Sequence, residues 1–382
     1  MMQNFEQIFA KLVSFQTVSE TSNKNLVDFI HNYLKKFQLN PKKILGDDGR
    51  FNLICQIGPS APGGLVLSGH TDVVPVIGQK WGNNPFNLIN KNGVFFGRGA
   101  CDMKGFIATV LSMVPLIMTK KLVKPIFLIF SYDEEVGCIG IQKLIPILKK
   151  IKPKPSFCIV GEPTEMKIVN KHKGKKNYEI LLSGIEAHSS LTKDGVNAIE
   201  YSGEIIEHLK NLQENFKKDF YDADFEPPFP TVNIGTISGG TAVNIIPNKC
   251  SLEFEIRDTP KLSQENIDNE LELLKKITER KMKRKNEKCL VELIKKNNFP
   301  PLQTDSNKKI ISMSMKSLQT NLLNSVSFGT EAGVFHKLGI QTIVCGPGSI
   351  KQAHKPDEFI KKNQIFKCEV FLNNFIDNLN SC

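Results

Sequence analysis

Several stretches of the 382-residue chain put histidine or acidic side chains just after runs that read as strands. His70 and Asp72 follow Leu65-Val66-Leu67. Asp102 sits in the glycine-punctuated turn Gly97–Gly105. Glu134 and Glu135 follow the apolar run Ile126–Ser131, and Glu162 follows Ser156–Val160. His354 lies beyond the strand-like Thr342–Cys345 and its loop Gly346-Pro347-Gly348. In open α/β sheets, ligands bind outside the carboxyl ends of the strands. Two imidazoles and four carboxylates on one such edge suit Zn²⁺, or a harder ion such as Mn²⁺ or Co²⁺. The set is large enough for two ions that share one carboxylate, with one acid left over. Paired ions about 3.5–4 Å apart clamp an attacking water and a polarised carbonyl in hydrolysis. The spare carboxylate then acts as general base.

The Glu134-Glu135 doublet fits that division, because adjacent residues point different ways. The spacing of His70 and Asp72 puts both on one face of an extended chain, so Asp72 can reach the distal ring nitrogen of His70 or orient its neighbourhood. Such a carboxylate fixes the tautomer and raises the basicity of a ligating imidazole. Each stretch alone reads as a routine loop acid or a strand-end histidine. The joint reading requires His70, Asp102, Glu134, Glu135, Glu162 and His354 to converge in one cleft between two domains.

The elements that must position these residues alternate along the chain. Apolar spacing predicts helices at the N-terminus (Met1–Val13) and over Asn25–Phe37, Gly105–Met118 and Gly140–Lys150. Strand patterns fall at Phe51–Ile57, Leu65–Ser68, Ile126–Ser131 and Ser156–Val160. Strands separated by helices imply crossovers and a largely parallel sheet. The middle of the chain changes character. Strand patterns at Asn177–Ser183, Thr231–Ile237, Cys250–Arg257 and Leu290–Ile294 alternate with helices over Asn197–Phe216 and Ser263–Lys283. That is a small α+β sandwich with one wet sheet face. After Lys308 the α/β pattern resumes, with a strand at Ser325–Phe328 and a terminal helix over Asn363–Leu379. The expected fold class is α/β, a mostly parallel catalytic sheet with an inserted α+β domain. The boundaries are 1–175, 176–296 and 297–382.

Composition narrows the function classes. No apolar run approaches the ~20 residues of a membrane span, and the start lacks the features of a signal peptide. The nine cysteines are scattered, with no C-x-x-C pair. That is the usage of a reducing compartment, and the cytoplasm is the expected location. The net charge of +11 raises nucleic acid as a partner. Much of the excess lies in Lys275–Lys288, where Glu279, Glu287, Ile277 and Met282 interrupt it, as on a solvated helix face. No nucleic-acid-binding motif accompanies it, so a small-molecule substrate is expected and neither nucleic acid nor membrane.

These motifs together resemble the M20 family of dinuclear zinc aminoacylases and peptidases. The resemblance rests on His70-Thr-Asp72, Gly99-Ala-Cys-Asp102-Met-Lys-Gly105, Glu134-Glu135-Val-Gly, Gly161-Glu162-Pro-Thr and His354-Lys-Pro-Asp-Glu358. It runs from near the N-terminus to the terminal helix. Ala187–Ser190 with Gly195–Glu200, Pro230–Gly235 and Gly346–Glu358 favour the branch that deacetylates N²-acetylornithine over the branch that desuccinylates diaminopimelate. The resemblance implies that Asp102 bridges two divalent ions, Zn²⁺ or in its place Co²⁺ or Mn²⁺, through a cis peptide to Met103. It implies His70 and Glu162 on one ion, Glu135 and His354 on the other, and Asp72 behind His70. Glu134 would take a proton from the attacking water and return it to the leaving amine. His188, in the inserted domain, would reach across a homodimer to the carbonyl oxygen; as an alternative it is a turn histidine held by Ser189 and Ser190. Arg257 and Asn244 would clamp the substrate carboxylate, unless Arg257 merely pairs with Asp258 or Glu255. Glu331, in Gly329-Thr-Glu331-Ala, is expected to face the δ-ammonium of ornithine.

Overall fold

Four apolar runs form the parallel centre of a nine-stranded sheet. Ile126–Ser131, Leu65–His70, Phe157–Pro163 and Gln341–Gly346 lie side by side in that order, each parallel to its neighbour. Every residue of the first three is buried, as expected where crossover helices cover both faces. The edges are antiparallel. Phe51–Ile57 and Lys42–Leu45 extend one side, and Val169–His172 pairs with the last parallel strand on the other. The computed structural model describes residues 4–380; the first residues of the expected N-terminal helix and Cys382 lie outside them.

Contacts divide the chain into two units. The larger takes the chain up to 171, then 302–325 and from 330 on. Its core joins the central strands to the helices Phe5–Ser14, Lys24–Lys35, Lys104–Thr119, Lys309–Leu318 and Lys362–Asn380. The Phe5–Ser14 helix begins at a capping box, with Asn4 and Gln7 each bonded to the other's backbone N–H. The Lys104–Thr119 helix follows a cis Asp102–Met103 peptide.

The smaller unit comprises residues 172–301 and 326–329. Its four antiparallel strands run in the order Thr231–Gly239, Lys249–Arg257, Lys175–Ser183, Leu290–Phe299. The helices Ala198–Asp219 and Gln264–Lys283 pack on the sheet, capped by Asn197 and Ser263. Strict alternation along Lys175–Ser183 buries Lys176, Tyr178, Ile180 and Leu182. Lys176, the polar member, pairs with buried Asp258 at 3.0 Å.

The run expected as a strand at Ser325–Phe328 is strand only over Asn324–Val326, and Val326–Gly329 clusters with the smaller unit. The Ser327 hydroxyl donates to the Glu226 carbonyl at 2.5 Å. Gly329 lies so close to Phe299 that a Cβ there would meet the ring at 1.9 Å. All eight described cysteines are buried and free.

Periodicity missed one small element that matters for the site. Ile89–Lys91, Val94–Phe96 and Phe359–Lys361 form a three-stranded sheet. Phe359 pairs with Phe96, which draws the turn after Phe96 alongside the stretch before Phe359. Asp102 lies in the first and His354 in the second.

Candidate metal centre

The strand ends bring the expected residues together within the larger unit. His70 ends its strand opposite Ser131 of the neighbouring strand. Beyond Ser131 the chain turns through Asp133, at a φ of 51°, into Glu134 and Glu135. Glu162 belongs to the next strand, Phe157–Pro163. Two groups of three side chains result, His70–Asp102–Glu162 and Asp102–Glu135–His354, each with its ligand atoms within 4.8 Å of one another. The two oxygens of Asp102 divide between them. Oδ1 lies 2.9 Å from His70 Nε2, and Oδ2 lies 3.4 Å from His354 Nε2. Glu162 Oε1 is 3.8 Å from His70 Nε2. Glu135 Oε2 is 3.0 Å from His354 Nε2. The first group is buried throughout, whereas the His354 side chain is half exposed.

Around these groups is a shell of fixed polar contacts. His70 Nδ1 lies 2.9 Å from the Asp72 carbonyl oxygen, so it carries the proton and leaves the Nε2 lone pair for the site. The expected partner, the Asp72 carboxylate, is farther away at 3.5 Å. Its oxygens instead accept the backbone N–H groups of Glu134 (3.1 Å) and Glu135 (3.3 Å) and the Ser19 hydroxyl (2.7 Å). Asp72 thus holds the doublet in place. The tight strand-end turn brings the Asp72 carbonyl back to the ring, which frees its carboxylate for the next loop.

Glu358 was given no role by sequence reasoning. It is buried, and one oxygen accepts the N–H groups of Cys101 (2.8 Å) and Asp102 (3.0 Å). The other accepts the N–H of Gly99 (2.9 Å) and Arg98 Nη1 (2.8 Å). Arg98 in turn stacks on Trp81 and donates to the Gln79 side chain, which donates to the His354 carbonyl. Glu358 therefore ties the Asp102 loop to the His354 stretch. Its one sequence signal was its place four residues after His354.

Glu331 corrects an expectation. It is fully buried, and its two oxygens accept the hydroxyls of Ser68 (2.6 Å) and Ser131 (2.8 Å). The carboxylate is turned into the core, with no exposed surface to offer a substrate ammonium. The two serines lie on adjacent central strands and draw the carboxylate into the core.

The remaining residues lie in the smaller unit. His188 is exposed, in a two-residue strand paired with Ile245–Ile246, and its Nδ1 lies 2.8 Å from the Ser190 hydroxyl. Asn244 is its neighbour, its carbonyl accepting the Ser189 N–H at 3.0 Å. Arg257 Nε donates to Glu255 at 2.5 Å, and Lys175 approaches the same carboxylate at 3.3 Å.

Residues 66–378 match the model of peptidase family M20/M25/M40. The chain belongs to that family. Among curated M20 relatives, an acetylornithine deacetylase of Buchnera aphidicola (subspecies Acyrthosiphon pisum, strain 5A) is 34% identical, over 94% of this chain and 93% of its own. One from Proteus mirabilis (strain HI4320) is 33% identical, over 99% and 97%. In fold the chain is similar to an M20 family metallo-carboxypeptidase from Sulfolobus solfataricus, with a TM-score of 0.78 at 19% identity over 100% of both chains. It is also similar to a dinuclear metal-binding M20 peptidase from Bacillus subtilis, with a TM-score of 0.70 at 15% identity over 99% and 98%. The chain is an M20 metallo-hydrolase.

The electrostatics of the two groups fit the metal ions that the family implies. Burial and the Asp102 charge push the Glu135 carboxyl up to about 7, against the pull of His354. Burial with Glu135, Asp72 and Asp102 pushes Glu134 up to about 8. Glu162 is held well above its ordinary value by burial and by Asp102, Glu134 and Glu135, and its Oε1 is buried with no hydrogen-bond partner among the described residues. Asp102 and Glu135 hold His354 up at about 10. So many buried acids with so few cations are stable as anions only beside added positive charge.

A pH dependence follows. In the metal-free chain Glu135 is protonated below about 7 and His354 below about 10, and an ion held by both side chains would displace both protons. Apparent Zn²⁺ affinity therefore rises with pH, by about tenfold per unit for each proton displaced. Competition titrations at about pH 6 and about pH 8, with proton release followed in weak buffer, check this slope. A flat profile would contradict it.

Proposed function

We propose that the chain is a two-metal amide hydrolase that converts N²-acetyl-L-ornithine and water to L-ornithine and acetate, a step of arginine biosynthesis. The observation that carries the reading is the division of the Asp102 carboxylate between two histidine–carboxylate groups, with Glu134 in neither. The substrate is read from relatives named acetylornithine deacetylase that align over nearly the whole of both chains.

On this reading His70, Asp102 and Glu162 hold one ion and Asp102, Glu135 and His354 the other. When bound, such ions polarise an amide carbonyl and lower the pKa of water. The protein's own groups then manage proton and substrate. Glu134 removes the proton of the attacking water and delivers it to the leaving nitrogen, with its Oε1 held by the Cys138 thiol at 3.2 Å. Asp72 keeps the Glu134 backbone fixed while this happens. The Arg257 guanidinium, held by Glu255, presents a planar fork to the α-carboxylate, and Asn244 supports it. His188 donates to the developing oxyanion across a homodimer. Exposed Leu191, Val243 and Ile199 near it supply apolar surface for that association. Light scattering should then give twice the 42.8 kDa of one chain. The expected compartment is the cytoplasm, in keeping with eight free buried thiols.

The test is ornithine release from N²-acetylornithine by chelator-stripped protein titrated with Zn²⁺ or Co²⁺. Activity should return with metal. In the same assay Arg257→Met should raise KM, and His188→Ala should lower kcat. Metal binding with turnover only of other N-acyl amino acids or dipeptides would keep the chemistry and replace the substrate. No metal binding would overturn the whole reading.

A further inference from the structure

The carboxylate of Glu331 is buried without a compensating cation. Its oxygens receive the Ser68 and Ser131 hydroxyls, and no lysine or arginine pairs with it among the described residues. Both serines stand next to His70. Ser68 precedes it by two residues and shares its face of the strand. Ser131 is its register partner on the adjacent parallel strand. The carboxylate therefore lies on the face of the sheet that presents His70, a member of the buried His70–Asp102–Glu162 group. A buried carboxylate with no cation is costly, and neutral hydroxyls only partly offset that cost. That group already carries Asp102 and Glu162, with Asp72 and Glu134 close by. A further anion there raises the repulsion in the empty site and the attraction in a filled one. In an interior that screens charge poorly, both effects extend beyond contact distance.

We infer that Glu331 is a positioning residue for metal: it fixes the two serines that flank His70, and its uncoordinated negative charge tightens ion binding in the His70–Asp102–Glu162 group. This rests on that group being a metal site and says nothing about which amide is cleaved.

The test uses full-length, metal-free protein and Zn²⁺ alone, titrated against a chromophoric chelator, with thermal unfolding of the metal-free form as a second readout. In E331Q the shape persists but the charge is gone: the amide oxygen still accepts one serine hydroxyl, and the amide N–H donates to the oxygen of the other. The tighter binding event should weaken by about ten- to a hundredfold. The metal-free protein should melt no lower than wild type, because no cation pairs with Glu331 among the described residues and so no ion pair is lost. E331D, which restores the charge, should recover most of the affinity. E331Q that binds Zn²⁺ as tightly as wild type overturns the inference. So does an affinity loss that E331D shares in full, which would mean that shape and not charge matters. Should E331Q fail to fold, S131A removes one donor to the anion: a several-fold weaker tight site supports the inference, and an unchanged one overturns it. Wild-type protein that binds no Zn²⁺ would instead defeat the metal-site reading itself.

Discussion

On the proposed two-metal mechanism, replacing Glu134 with glutamine should lower kcat by about three orders of magnitude, within the range measured for loss of a general acid–base group, and leave metal content unchanged. The side chain belongs to neither ligand group, so the substitution removes no metal ligand. Its backbone N–H is held by Asp72 at 3.1 Å, and its Oε1 receives the Cys138 thiol at 3.2 Å. Glutamine can keep both contacts. What it cannot do is take up a proton. In the metal-free chain burial and the neighbouring acids push the Glu134 carboxyl up to about 8. Such a group gives up its proton with little penalty near neutral pH, and can take one from water and pass it on. Two ions nearby would draw that value down and favour the base form. The check is single-turnover hydrolysis by metal-loaded Glu134→Gln, with metal content measured on the same sample. Near-normal turnover at full metal content would remove Glu134 from the chemistry.

Glu358→Ala should cost about 3–5 kcal/mol of stability in the metal-free protein, the range for removing one member of a buried charged pair. Both Arg98 and Glu358 are about 1% exposed at the side chain. Removing the carboxylate takes from the Arg98 guanidinium its paired anion and leaves three buried backbone N–H groups, those of Gly99, Cys101 and Asp102, without that acceptor. The damage should also reach metal binding, because those N–H groups set the path of the chain through Asp102. Urea denaturation of the metal-free variant measures the first effect, and Zn²⁺ titration of its remaining folded fraction the second. A loss below about 1 kcal/mol would show that the loop is held by other contacts.

Much of this was legible in the sequence. The central strands announced themselves as short apolar runs, because a strand covered on both faces needs no polar alternation. The smaller unit showed the opposite signature, alternation along Lys175–Ser183 and Lys249–Arg257, because only one sheet face meets helices. Ligand candidates were visible because His70, Glu134, Glu135 and Glu162 lie at or just beyond strand ends, where position along the chain predicts position in space. Asp102 and His354 were legible as residue types, but their approach depends on three-residue strands too short for any periodicity to register.

Sequence alone thus determined which side chains stand at the sheet edge and what chemistry their types allow. Only the tertiary structure decided which partner each buried polar group takes. Glu331 meets Ser68 from 263 residues away, and Glu358 meets the Asp102 N–H from 256. Asp72 turns from His70 to the backbone of Glu134, 62 residues on. Local spacing cannot carry such choices. A buried carboxylate takes whichever donors the packed chain brings within hydrogen-bond reach, and those are known only once the sheet is assembled.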